Sequence, residues 1–427
     1  MKKNTKLFSS IIIFGLLFFT NQINIYADTI YVGGATPDYT TIQEAIDNAI
    51  EDDVIIVAEG TYNEDLEFFG ENIVLQSTDP LNSSVVENTI IQGTGTTSVI
   101  TLDGSESPDC EIKGFTITGG HADFGGGGIA GNASLTSISH NIIFGNSAGV
   151  IYGHGGGIFN CDGTIAFNTI SNNSVLNGGG GLSACDGIIL YNTITGNYTS
   201  VPEAGYGGGF SECGGTIANN NISNNSAGIA GGGLYFCSGT ILHNFINENS
   251  AVNDGGGLND CDGVISNNII SNNSAGNFAG GIAFCNGTIK NNTIVNNSAV
   301  YLAGGLYYCT TSIVNNIIWG NTADSAPQIY NSSIPTYCCI QDWTEGGEGN
   351  ISDNPQFVDY NHGNYHLKAI SPCIDSGDSS YANPGDIDYD GLPRLADGDN
   401  NGTDIVDMGA YEYVYGTFLT IKDWMLY

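Results

Sequence analysis

The sequence predicts an all-β protein, a right-handed parallel β-helix solenoid with an N-terminal capping helix and a small irregular C-terminal module. Three observations predict it. Cys161, Cys185, Cys213, Cys237, Cys261, Cys285 and Cys309 recur in steps of 24, 28, 24, 24, 24 and 24 residues, which marks an internal repeat. Aligned on those cysteines, isoleucine columns run from Ile165 through Ile189 and Ile217 to Ile313, and from Ile170 through Ile194 and Ile222 to Ile318. Two unbroken asparagine columns accompany them, Asn168 to Asn316 and Asn173 to Asn321, with a glycine column from Gly157 to Gly305.

A 24-residue unit whose apolar pieces are this short has no room for three helices. Three short strands and three turns per unit fit. A helical repeat would also carry a glycine run in every unit, at a cost of about 1 kcal/mol per glycine relative to alanine. Stacked in register, each column repeats about every 4.8 Å, the spacing of paired strands. The isoleucines then form a continuous core, and each asparagine amide can bond the next. Parallel crossovers favour the right-handed form. The cysteine column reads as small buried hydrophobes, because parallel Cβ vectors hold stacked sulfurs unfavourably for a disulfide. Cys110, Cys338, Cys339 and Cys373 have no assignable partner. The absence of a Cys-x-x-Cys pair or a histidine cluster speaks against zinc.

Taken in chain order, Lys2, Lys3 and Lys6 precede an apolar run from Leu7, so residues 1–27 read as a secretory signal peptide. Residues 28–51 form the N-terminal cap. There Thr41-Ile42-Gln43-Glu44 is a capping box, opening an amphipathic helix with Ile42, Ala45, Ile46, Ala49 and Ile50 on one face. The solenoid is assigned to 52–335, irregular at first (Ile73-Val74-Leu75, Thr89-Ile90-Ile91, Val99 to Leu102) and regular from Ile138. A tail module follows at 336–413, and 414–427 is unassigned.

Charge limits the partners. The whole chain has 8 Lys+Arg against 44 Asp+Glu, and removal of the leader leaves a net charge of −39. Such a surface argues against nucleic acid and polyanionic substrates unless cations screen it. No segment after the leader is long and apolar enough to span a membrane. The mature protein is therefore expected to be secreted or held at the cell surface, and monomeric.

Tyr39 to Ile46, Val54-Ile55-Ile56-Val57 and Gly60 to Glu64 resemble the opening rung of the pectin lyase-like superfamily of β-helix proteins. The glycine-run and Ile-x-x-Asn repeats are similar to polymorphic outer membrane protein repeats. Ser371 to Gly377, Asp388 to Gly391 with Arg394, and Val406 to Tyr413 resemble the choice-of-anchor tail of secreted bacterial β-helix proteins. The resemblance implies fold and export; enzymes and non-enzymes share the scaffold. Pectate lyases of this group imply a basic proton abstractor beside calcium-binding carboxylates, and the solenoid offers only Lys113 and Lys290. Polygalacturonases imply several aspartates with Gly-His-Gly; Gly153-His154-Gly155 matches, but within the repeat's own glycine run and without the companion motifs.

No catalytic residue is therefore assigned. Glu212 and Asp260 share a column two rungs apart, about 9.6 Å by strand spacing. They are either solvated carboxylates or the pair of a glycoside hydrolase, with Glu203 as a further candidate. Two expanded turns, after Asn146 and after Asn197, carry Tyr152, His154, Tyr198, Glu203 and Tyr206, a set suited to carbohydrate contact. Asp386, Asp388, Asp390 and Asp397 fit a calcium-loop template, with Pro393 and Arg394 inside the loop against it. The expected function is non-catalytic binding of polysaccharide or cell-surface glycan, or adhesion. The alternative is a polysaccharide lyase or glycoside hydrolase on the same scaffold.

Overall fold

Strand Thr29–Val32 pairs in parallel with Val54–Val57, and from there the chain winds into a parallel β-helix. The computed structural model describes residues 27–149, 153–201 and 204–416, so the signal peptide expected at 1–27 lies almost wholly outside the described residues. Four parallel sheets run along the solenoid. Sheet 1, from Thr29–Val32 to Ile313–Val314, and sheet 2, from Gly60–Asn63 to Cys339–Ile340, have twelve strands each. Sheet 3, from His121–Ala122 to Ser298–Ala299, has eight, and sheet 4, from Leu66–Glu67 to Ile329–Tyr330, has eleven.

The three strands per unit read from sequence become four. One regular rung runs Thr164–Ala166, Thr169–Ser171, Ser174–Val175 and Leu182–Ser183. The strand missed is only two residues long and has no apolar run to announce it. Single residues in the left-handed conformation turn the corners, such as Phe167 (φ 57°), Asn172 (φ 52°) and Ala184 (φ 51°). The glycine run serves close approach: Gly179 has φ 71°, and a Cβ on Gly181 would lie 2.7 Å from the carbonyl oxygen of Gly209 in the next rung.

Both isoleucine columns are buried in one continuous core together with the cysteine column. All eleven cysteines are buried, and none is bridged in this structure. The asparagines form ladders inside the corners. Asn168 donates its backbone N–H (2.9 Å) and its Nδ2 (3.0 Å) to Asn192 Oδ1, and Nδ2 also donates to the Ile138 carbonyl (2.9 Å). Each amide thus ties three rungs. The two ladders end on different groups, Cys338 Sγ accepting from Asn316 N–H at 3.3 Å and Gln328 Oε1 accepting from Asn321 Nδ2 at 2.9 Å.

The capping helix spans Ile42–Asn48, with Thr41 accepting the Glu44 N–H and Ile42, Ala45 and Ile46 buried. A second short helix, Ser83–Asn88, is capped by Asn82. At the other end Cys339 and Ile340 pair with Ile317 and Ile318, so the solenoid continues beyond residue 335.

The tail module folds back along the outside of sheet 2. Its antiparallel hairpin, Phe357–Asp359 with Asn364–Leu367, packs Phe357, Tyr365 and Leu367 with Cys373, Met408 and Tyr411 against Ile269, Val295, Ile317 and Cys339. The sheet is prepared for this contact. Its outward positions are polar in the uncovered rungs, as at Thr169, Ser171, Thr193 and Thr195, whereas under the tail Phe245, Ile269, Val295, Ile317 and Trp319 alternate with Asn247, Ser271 and Thr293. Polar contacts fix the docking: Ala410 N–H donates to Thr293 Oγ1 (3.0 Å), Gly409 N–H to the Asn315 carbonyl (2.8 Å) and Lys290 Nζ to the Tyr381 carbonyl (2.8 Å).

Candidate functional site

The outer face of sheet 4 gathers several of the residues singled out from sequence. In register along its centre stand Ser211, Tyr235, Asn259, Ala283, Tyr307 and Tyr330, while Leu234, Leu258, Ile282 and Leu306 point into the core. A column of bridge residues borders one edge: His154, Gly178, Tyr206, Ala230, Asp254, Phe278 and Leu302. The other edge is a row of left-handed corner residues that includes Glu212 (φ 58°), Phe236 (φ 51°), Asp260 (φ 57°) and Phe284 (φ 55°).

Aromatic rings pair across this face. Tyr206 stacks on Tyr235 with ring centres 4.5 Å apart, and Phe278 stacks on Tyr307 at 4.6 Å. Phe284 meets Tyr307 edge-on at 5.3 Å, and His154 stacks on Phe159 at 6.1 Å. Tyr235 and Tyr307 are three rungs apart, about 14 Å by strand spacing. Between the two pairs the rung at Asn259 carries a carboxylate on each edge, Asp254 and Asp260. Burial holds Asp254 above the usual carboxylate range, opposed by the Phe278 N–H it accepts. Burial, and then the charge of Asp262, holds Asp260 up as well. Burial raises the Tyr235 hydroxyl, with Tyr206, Asp260 and Glu212 adding to it, and burial followed by Asp254 raises that of Tyr307.

The structure brings together His154, Tyr206, Glu212 and Asp260 on this one face. Tyr198 projects from sheet 3, in register with Ser174 and Ser226, and so belongs to the neighbouring face. Tyr152 and Glu203 lie outside the described residues. Asp254, Tyr235, Phe278 and Tyr307 were not singled out from sequence; their signal is the recurrence of an aromatic pair at two adjoining columns three rungs on. Neither lysine of the solenoid reaches this face. Lys113 and Lys290 lie in sheet 1, where Lys113 pairs with Glu111 and Lys290 holds the tail.

Four tail carboxylates expected around calcium have separate partners. Asp388 is buried, and its two oxygens accept the N–H groups of Asp390 (2.9 Å), Leu392 (2.7 Å) and Glu412 (2.8 Å). Asp390 meets His366 Nε2 at 2.6 Å, and Asp386 accepts the Asn383 N–H at 2.9 Å. Asp397 accepts the N–H groups of Asn401 (3.0 Å) and Gly402 (2.8 Å). Among the described residues the one group of three acidic donors within 4.8 Å of one another is Asp375, Asp397 and Asp399, which shares only Asp397 with that set. His362 and His366 do not converge either, since His362 pairs with Asp359 at 2.8 Å.

Asp388 therefore acts as a buried turn cap. Asp388→Ala is expected to destabilise the tail by about 2–4 kcal/mol, because one buried and two half-buried donors lose their acceptor. Thermal unfolding of the variant beside the wild type checks this.

Asp407 gives the tail a pH dependence. It accepts the N–H groups of Asp375 (2.7 Å) and Tyr413 (2.6 Å), yet burial raises its pKa to about 7. An unfolded aspartate titrates near about 3.9. The folded tail thus binds the proton more tightly, and the stabilisation is fully present below about pH 4 and lost as pH rises through about 7. The slope should reach about 1.4 kcal/mol per pH unit inside that window. Melting curves between pH 5 and pH 8 should show falling stability with rising pH. Relief of repulsion among the many acidic groups acts in the same direction, so the specific signature is a shallower slope in Asp407→Asn.

Comparisons with known proteins add little to this geometry. No family model matches the chain, and no curated protein matches it. Among solved structures the chain is similar to the crystal structure of pectate lyase Pel9A, with a TM-score of 0.46 and 14% identity, covering 91% of this chain and 98% of that one. No helix among the described residues is long and apolar enough to cross a membrane.

Proposed function

We propose that the chain is an exported β-helix protein that holds a polysaccharide or cell-surface glycan on the outer face of sheet 4 and does not cleave it. The observation that carries this reading is the pair of aromatic stacks, Tyr206–Tyr235 and Phe278–Tyr307, with Asp254 and Asp260 between them. Aromatic rings offer apolar faces for sugar rings, tyrosine hydroxyls bond at their rim, and carboxylates accept from sugar hydroxyls. A span of about 14 Å suits an oligosaccharide segment better than a single ring. The carboxylates select against polyanionic chains.

The same face lacks what a lyase of the resembling kind uses, since both solenoid lysines are engaged on sheet 1. A hydrolase is the second reading, favoured by the raised Asp254 and Asp260, because a general acid must hold its proton near neutrality.

Glycan-array binding followed by titration with the retained polysaccharide tests the proposal. Tyr235→Ala and Tyr307→Ala should each weaken binding by about tenfold, roughly 1.4 kcal/mol, with unchanged circular dichroism. Unaltered affinity in both variants would remove sheet 4 as the site.

A further inference from the structure

The last strand of sheet 2 presents two adjacent thiols to opposite sides. Cys338 points inward, packs in the solenoid core and terminates the asparagine ladder by accepting from Asn316. Cys339 points outward into the apolar layer under the tail, where it is buried with Phe357, Met408 and Cys373. Cys373 comes from the tail. It is positioned by the Met408 N–H, which donates to its carbonyl at 3.0 Å, and by Ser371 Oγ, which accepts its N–H at 3.2 Å and donates to the Pro355 carbonyl at 2.7 Å. Cys373 is the neighbour that acts most strongly on the Cys339 thiol, whose Sγ also donates to the Asp353 carbonyl at 3.2 Å.

We propose that Cys339 and Cys373 form a disulfide that ties the tail module to the last rung of the solenoid. The pair differs from the cysteine column in its approach. Column thiols also neighbour one another, as Cys185 does Cys213 and Cys237 does Cys261, but they project the same way from stacked strands. Parallel Cβ vectors suit a bridge poorly, whereas Cys339 and Cys373 approach from two opposed surfaces. Cys338, one residue away, is turned into the core and cannot compete.

The step oxidises two thiols to one disulfide, releasing two protons and two electrons. A disulfide oxidant, protein or small molecule, accepts them. One thiolate attacks it to give a mixed disulfide, and the second thiolate displaces the reduced oxidant as the S–S bond forms. The neighbouring Cys373, and then burial, hold the Cys339 thiol in its protonated form in the docked tail, so the exchange belongs to the time before docking completes. The bond would close the segment that carries the hairpin and restrict its unfolded states. This inference is independent of the glycan reading.

The test is a cysteine map of the full chain, refolded in a glutathione redox buffer, denatured, alkylated without reduction and digested. The expected map joins the Cys339 and Cys373 peptides, with the seven column cysteines alkylated. Alkylation of both Cys339 and Cys373, or their linkage to other cysteines, would overturn the proposal. A second measurement compares melting with and without a phosphine reductant. The wild type should lose several degrees in its tail transition, and the Cys339→Ser/Cys373→Ser double variant should lose none. Equal sensitivity in the two proteins would also overturn it.

Discussion

Arg394→Ala is expected to unfold the tail module while leaving the solenoid folded. Arg394 is the only arginine in the chain, and its side chain is fully buried. Its Nη1 donates to the Gly409 carbonyl at 3.0 Å and its Nη2 to the Asp407 carbonyl at 2.8 Å. Nε lies 3.0 Å from Glu412 Oε1, close enough for an ion pair although its N–H is not aimed at the oxygen. Glu412 in turn accepts the Asp407 N–H at 3.1 Å. One guanidinium thus gathers the segment from 407 to 412. Truncation leaves a buried carboxylate without its cation, a loss of about 3–5 kcal/mol, with two orphaned carbonyls in addition. A small module has little reserve against a loss of that size. Arg394→Lys should be nearly as damaging, because an ammonium cannot reproduce the planar fork. The readout is limited proteolysis: the tail should be digested from Arg394→Ala and a resistant solenoid core remain. Exposure of Ile269, Val295 and Ile317 should add binding of a hydrophobic dye, absent in the wild type.

Asn220→Ala is the second large effect, and it acts on the solenoid. Asn220 Oδ1 accepts the backbone N–H (2.9 Å) and Nδ2 (3.1 Å) of Asn192, while its own Nδ2 donates to the Ile189 carbonyl (2.9 Å) and to Asn244 Oδ1 (3.1 Å). All of these groups are buried. Alanine removes the shared partner and leaves a backbone donor, Asn192 N–H, and a backbone acceptor, the Ile189 carbonyl, unpaired on the preceding rung. At about 1–3 kcal/mol for each group, the loss is on the order of 4 kcal/mol. Asn220→Asp keeps the acceptor but loses the donor and buries a charge, so it should be no better. The control is the adjacent Asn221, exposed on sheet 2, whose alanine variant should stay within about 0.5 kcal/mol of wild type. Urea unfolding of the three variants checks the order, with the midpoint compared rather than a two-state free energy, since repeat arrays unfold in parts.

Most of the solenoid was legible because every rung solves the same problem. Ile165 and Ile170 must face the core and Asn168 must bond its neighbours, so the same letters return at each turn. Sheet 3 was not legible, since Ser174–Val175 follows directly on the Asn173 corner and has no apolar run of its own. The docking of the tail was written in the sequence but in a direction that a local window does not scan. It lies in the change from Thr169 and Thr193 to Phe245, Ile269 and Ile317 along one outward column. His154, Tyr206, Glu212 and Asp260 could be named because loop expansion and column alignment both place them near one face. Tyr198 was separated from them by a corner that only the fourth strand reveals. The aspartate spacing of the tail was legible but its bonding was not: Asp388 accepts the amides of Asp390 and Leu392 in its own turn and that of Glu412 from the distant end of the tail.

The most direct test of the functional account is one incubation of the purified protein with the polysaccharide that it retains, following bound protein and new chain ends together. The account predicts saturable retention with no increase in reducing ends and no unsaturated products. Retention should weaken by about tenfold in Tyr235→Ala and be kept in Glu212→Gln and Asp260→Asn. Release of products by the wild type, abolished in Asp260→Asn or Asp254→Asn, would contradict it and make the same face an active site.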